Sequence, residues 1–161
     1  MAQEKTPEWA ADKGTGFELG TDGPRVIMAG VDGTEASSRA AAYAGGLARR
    51  QNALLALVYV QPYMAMSGVY GADVQGATAE VADDLAREIS EHAERVKSVY
   101  TTRWKFFTRR GDPYTGLAQA ADELKADAVI VGASEKAGHR FIGSVAVRLV
   151  KAGRWPVTVV P

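Results

Sequence analysis

The sequence predicts an α/β fold: a doubly wound, five-stranded parallel sheet flanked by helices, Rossmann-like in layout. Three observations carry this. Short apolar runs alternate with longer segments of helical spacing along most of the chain. The runs are apolar at consecutive positions, so both faces of each strand are expected to be covered. Several runs close on glycine followed by a cap residue, as a strand feeding a crossover helix requires.

Residues 1–24 are polar, glycine-bearing and closed by TDGP. They read as a loosely ordered N-terminal arm, with Trp9 and Phe17 as the side chains able to tack it down. The domain proper is expected to span 25–161. It opens with RVIMAGVDG (Arg25 to Gly33), a buried strand ending in glycine. Thr34 is then a good N-cap, and Glu35 falls in the positive first turn of a helix. Ala36, Ala40, Tyr43 and Leu47 recur at helical spacing as its inward face, and Arg49 and Arg50 suit its C-terminus. ALLALVYV (Ala53 to Val60) is a second buried strand.

QPYMAMSGVYGADVQG (Gln61 to Gly76) shows no periodicity and is long for a connection in a compact domain. Its Tyr63, Met64, Met66 and Tyr70 make it an adaptable packing segment or a cover over a bound ligand. Val81, Leu85, Ile89, His92, Val96 and Val99 define one face of a long helix, with His92 expected to be partly buried. RWKFFT (Arg103 to Thr108) is the third strand, with Trp104 and Phe106 on one face. In GDPY, Asp112 caps a helix whose first turn accepts Pro113, and Leu117, Ala121 and Leu124 continue it. ADAVIVG (Ala126 to Gly132) is the fourth strand. A short helix follows from Ser144 to Ala152, stopped by Gly153, and PVTVVP (Pro156 to Pro161) is the fifth strand.

Composition narrows the function. The 19 basic and 19 acidic residues cancel, so no global field draws the chain to nucleic acid or an anionic membrane. No cysteine is present, which removes disulfides, thiolate metal sites and cysteine nucleophiles together. His92 and His139 are the two histidines, too few for a histidine-built metal site, and His139 reads as a solvated loop residue. The longest apolar run falls far short of a membrane span, and the N-terminus has no apolar signal core, so a cytoplasmic location is expected. No GxxxxGK[ST] or GxSxG occurs, and the first strand leads into VDGT rather than a histidine pair. No enzyme is expected.

In open parallel sheets ligands bind beyond the carboxyl ends of the strands, near the switch point. That edge gathers VDGT, the segment after Val60, and VGASEKAGHRFIGSVAVRLV (Val131 to Val150). Asp32 there reads as a turn residue or a ligand contact, and Gly143 as a close-packing position or a phosphate contact. Ser144 is a natural N-cap whose hydroxyl can also meet a phosphate.

These landmarks together resemble the universal stress protein family. The residues that carry the likeness are VIMAGVDGTEASSRA, LALVYV, RRGDPYTGLAQAADELKADAVIVGAS, GSVAVRLV and WPVTVVP, five pieces in order. The resemblance implies a homodimer joined through the C-terminal strand, an unknown protein partner, and ATP or AMP as ligand with magnesium as companion of the phosphates. It implies Asp32 at the adenine and ribose end, with Gly30 and Val60 giving backbone contacts. Gly132, Gly143, Ser144 and Val145 would stand at the phosphate end. One departure is plain. ATP-binding members carry glycine, two residues, glycine, nine residues, then glycine and serine or threonine. Here Glu135 replaces the second glycine, and Gly132 to Gly143 is two residues shorter. Lys136, His139 and Arg140 offset that carboxylate or belong to a solvated surface. The expectation is a stress-response regulator switched by an adenine nucleotide. The alternatives are a nucleotide-free dimeric interaction module of the same fold, and a slow ATP hydrolase for which no base stands out.

Overall fold

The computed structural model describes residues 23–62, 74–96, 101–136 and 139–161. The expected N-terminal arm lies outside them up to residue 22, and so do Tyr63, Met64, Met66, Tyr70 and Val99.

Five strands form one parallel sheet in the order β3-β2-β1-β4-β7. They are β1 (Val26–Val31), β2 (Leu54–Gln61), β3 (Trp104–Arg110), β4 (Ala128–Gly132) and β7 (Val157–Val160). The chain builds outward from β1 through β2 to β3, then crosses back to place β4 on the other side of β1. The switch point therefore lies between β1 and β4.

Successive strand residues face opposite sides, and each side has its own core. Met28, Val58, Val60, Val129 and Val131 pack under α3 (Pro113–Glu123) and α4 (Ser144–Ala152) through Leu117, Ala121 and Leu149. Ile27, Ala29, Leu55, Leu57 and Ile130 pack under α1 (Glu35–Gln51) and α2 (Val74–Val96), with Trp104 and Phe106 joining them. Burial on both faces is why these strands read as continuous apolar runs.

The caps hold as expected at two helices. Thr34 accepts the amide of Ser37 at 3.2 Å, and Asp112 accepts that of Thr115 at 2.9 Å with Pro113 in the first turn. The inward face of α1 differs. It is Ala36, Ala40, Ala44 and Ala48, while Tyr43 is 46% exposed and Leu47 half-buried. An unbroken i, i+4 row of alanines lets the helix lie close on the sheet, and a tyrosine in that row would hold it away.

In α2 the expected face holds at Leu85 and Ile89, which pack against the core, but not at Val81. Ala82 is buried and Val81 is 44% exposed, with Leu85 and Ile89 half-buried. His92 is exposed, not partly buried, because it lies at the outer margin of that face. The helix also begins at Val74, inside the segment expected to be a loop through Gly76.

The stretch between Gly132 and Gly143, expected to be a loop, contains a short antiparallel hairpin. Here β5 (Ser134–Lys136) pairs with β6 (His139–Phe141), in a register that sets Glu135 opposite Arg140. Three-residue strands of polar composition give no readable period-2 signal.

Candidate functional site

The carboxyl ends of β1 and β4 splay apart at the switch point and open a cleft of about 720 Å³. That size is in the ordinary range for a small-molecule site, roughly 300–1,000 Å³. Gly30, Asp32, Val60, Gly132, Gly143, Ser144 and Val145 all line it, so the fold brings the seven sequence-selected positions to one place.

One end is the turn after β1. Gly33 takes φ of 84°, a conformation glycine adopts without strain, and this reverses the chain toward α1. The Asp32 carboxylate folds over the turn: Oδ1 accepts the Thr34 amide at 3.0 Å and the Thr34 hydroxyl at 2.6 Å. Ser37 closes the loop from the helix side, accepting the Asp32 amide at 3.2 Å and donating to the Thr34 carbonyl at 2.9 Å. These bonds hold the carboxylate at the cleft rim, where Oδ2 makes no hydrogen bond among the described residues. Asp32 is also the one charged side chain among the described lining residues. Its charge is felt beneath the turn, where burial first and Asp32 second push the buried Tyr59 phenol above its ordinary pKa.

The other end is the start of α4. Gly143, not Ser144, is the N-cap residue there, with extended backbone and no side-chain cap. This corrects the capping role read for Ser144, which stands one position inside the helix. The consequence is chemical. Val147 donates to the Gly143 carbonyl at 3.0 Å, so helical geometry leaves the amides of Ser144, Val145 and Ala146 without an intrahelical acceptor. They line the cleft with the positive end of the helix dipole behind them.

The glycines have structural reasons of their own. A Cβ on Gly132 would come 2.5 Å from the Ala36 carbonyl, so that residue lets β4 and α1 touch. On Gly143 it would meet the Cβ of Ser134 at 3.0 Å, and on Gly30 a methyl of Leu117 at 3.1 Å. Gly143 thus packs closely on Ser134, the first residue of β5, which also lines the cleft.

Sequence reasoning missed Thr34 and Ser37 as rim residues, and Pro113, Leu117 and Ile142 as apolar walls. The signal for the first two was present, since both fall within five residues of Asp32. The others come from remote elements and are brought in only by the packing of α3 and α4.

Nearby, Arg148 donates to Asp112 at 3.1 Å and lies 4.1 Å over the Tyr114 ring, tying α4 to the cap of α3. Among the described residues no group of three or more His, Cys, Asp or Glu side chains is placed to hold a metal, and no helix is long and apolar enough to cross a membrane.

Residues 24–161 match the model of the universal stress protein family. The chain is 29% identical over 142 residues to a universal stress protein of Methanocaldococcus jannaschii, covering 84% of this chain and 81% of that one. It is 30% identical over 135 residues to one from Mycobacterium tuberculosis, covering 83% of this chain and 44% of that longer protein. Among solved structures, a universal stress protein in complex with cAMP superposes with a TM-score of 0.64 at 25% identity, over 86% of this chain and 97% of that one.

Proposed function

We propose a function from one premise, that this chain belongs to the universal stress protein family. It is an adenine nucleotide-binding regulatory protein that works as a dimeric, ligand-responsive switch. The observation that carries the reading is the opposition, across one cleft, of the Asp32 carboxylate and the uncapped start of α4.

That arrangement has the polarity of a nucleotide. Oδ2 of Asp32 can accept from a ribose hydroxyl or an adenine amine, while Gly30 and Val60 bound the space for base and sugar. The amides of Ser144, Val145 and Ala146 suit a phosphate, and Gly143 lets it approach the backbone. The Ser144 hydroxyl, not used as a cap, is a further donor. The likeness at 25% identity to a universal stress protein in complex with cAMP supports the same class of ligand. Magnesium would be held through phosphate oxygens and water, since the described residues supply no carboxylate cage.

Regulation requires different affinity for two states of the protein. The connection from Gly132 to Gly143, whose ends line the cleft at Ser134 and Ile142, is the element a bound phosphate would bias. The dimer would form along β7, the edge strand of the sheet, whose outer backbone groups need a partner.

The test is mass spectrometry of small molecules released on denaturing the purified protein, then calorimetric titration with ATP, AMP and cAMP. Saturable heat with at least one of them, lost on Asp32→Ala and weakened on Asp32→Asn, is the expected result. Asparagine keeps an Oδ1 acceptor for Thr34, so it separates loss of charge from loss of the turn. No released nucleotide and no heat with any of the three would leave a nucleotide-free interaction module of the same fold.

A further inference from the structure

On the opposite side of the sheet from Leu117 and α4, helices α1 and α2 stand apart and leave a groove of about 500 Å³. Gly45 and Gly46 form one wall, Leu85 and Ile89 the other, and Leu57 and Trp104 the floor. The glycines strip side-chain bulk from the middle of α1, leaving room for a backbone to lie along the helix. At the lower rim stand Arg49 and Arg95, with Glu88 as the opposing charge.

We infer that this groove is the seat of the chain's own N-terminal arm, with Phe17 and Leu19 as its apolar anchors. Three features of the molecule point to this occupant. The first is where the arm begins. Gly23 lies against Gln51 in the last turn of α1, so close that a Cβ would fall 2.6 Å from the Gln51 Oε1. The described chain therefore begins at the foot of the groove, beside a residue two positions from Arg49.

The second is reach. An extended chain covers about 3.3 Å per residue, so Leu19 can stand roughly 13 Å and Phe17 roughly 20 Å beyond Gly23. Along α1, at 1.5 Å per residue, Gly46 is about 8 Å and Ala41 about 15 Å above Gln51. A seated arm would span the groove without slack or strain, running parallel to α1.

The third is charge. Residues 1–22 contain Glu4, Glu8, Asp12, Glu18 and Asp22 against Lys5 and Lys13, a net charge of −3. The whole chain is neutral, so the remainder carries +3. A seated arm would bring Glu18 in between its two anchors and Asp22 to the foot, the end of the groove that Arg49 and Arg95 line. Phe17 and Leu19 alternate with Glu18, which puts the apolar pair on one side of an extended segment and the carboxylate on the other. This inference does not rest on the nucleotide cleft.

The chain has no cysteine, so a disulfide trap reports a single contact. Gly20→Cys is paired with Gly46→Cys in the groove and, separately, with Glu123→Cys at the end of α3 on the other side of the sheet. Mild oxidation of the full chain is expected to close the first pair within one molecule several-fold faster than the second. Adding Phe17→Ser and Leu19→Ser should abolish that advantage. Equal rates for the two pairs would overturn the assignment. A disulfide joining two molecules would overturn it in favour of a second copy in the groove. Amide exchange in the cysteine-free chain gives an independent reading: α1 and the described part of α2 should exchange faster once Phe17 and Leu19 are serine, and unchanged exchange would count against a seated arm.

Discussion

Gly132, the last residue of β4, touches the backbone of Ala36 in the first turn of α1: a Cβ there would lie 2.5 Å from both the carbonyl carbon and the carbonyl oxygen. The obstacle is main chain, which cannot rotate aside. Gly132→Ala is therefore expected to destabilise the fold by about 1–3 kcal/mol, the usual cost of overpacking. Denaturant unfolding checks this. The contact lies beside the cleft, so the variant should also weaken ligand binding if the nucleotide reading holds.

Thr34 serves two partners at once, accepting from the Ser37 amide and donating to Asp32. Thr34→Ala removes the cap and should cost about 1 kcal/mol, whereas Thr34→Ser should cost little. Urea unfolding of both variants distinguishes cap chemistry from the loss of a methyl group. The alanine variant should also weaken nucleotide affinity, because only the backbone amide of residue 34 then holds the Asp32 carboxylate over the turn.

Asp112 titrates below the ordinary carboxylate range, chiefly through the Thr115 amide and hydroxyl and secondarily through Arg148. A folded-state pKa below the unfolded one means that its contribution is complete above the unfolded value, about 3.9. It is lost as pH falls through the lower folded value. The difference in Tm between the native chain and Asp112→Ala should thus be constant near neutrality and shrink below that range. A difference unchanged down to strongly acid pH would contradict it.

Tyr59 shifts the other way, its phenol pushed up by burial and then by Asp32. The raised folded pKa makes its contribution complete below the unfolded value, about 10, and lost as pH rises through the folded one. Tyr59→Phe should flatten the alkaline limb of the stability curve, read as Tm against pH from about 8 upward, the range that brackets a tyrosine.

The Pro156 carbonyl accepts from Val129 and the Val160 carbonyl from Ala133, so the even-numbered positions of β7 face β4. The backbone groups of Val157 and Val159 then point outward along the free edge. Val159→Pro removes an outward N–H and leaves the inner ladder intact. If copies pair along β7, this variant should sediment as a monomer where the native chain is a dimer. Unaltered dimer mass would place the interface elsewhere.

What the sequence determined by itself is local. Consecutive apolar residues in RVIMAGV, ALLALVYV and ADAVIVG could only be strands covered on both faces, and Thr34, Asp112 and Gly153 mark helix ends through chemistry carried within one turn. Parallel order followed from the alternation, and the placement of Asp32 and Ser144 at one edge followed from parallel order. Tertiary structure decided what depends on distance between elements. Tyr43 and Ala44 are equally plausible on a helical wheel, and only the close approach of α1 to the sheet selects alanine. That a side chain at Gly132 would collide with Ala36 is seen only once α1 lies against β4. Ser144 looks like a cap until the extended Gly143 is seen to take that place, freeing three amides for the cleft. Such outcomes turn on contacts between residues far apart in sequence, for which a local pattern holds no signal.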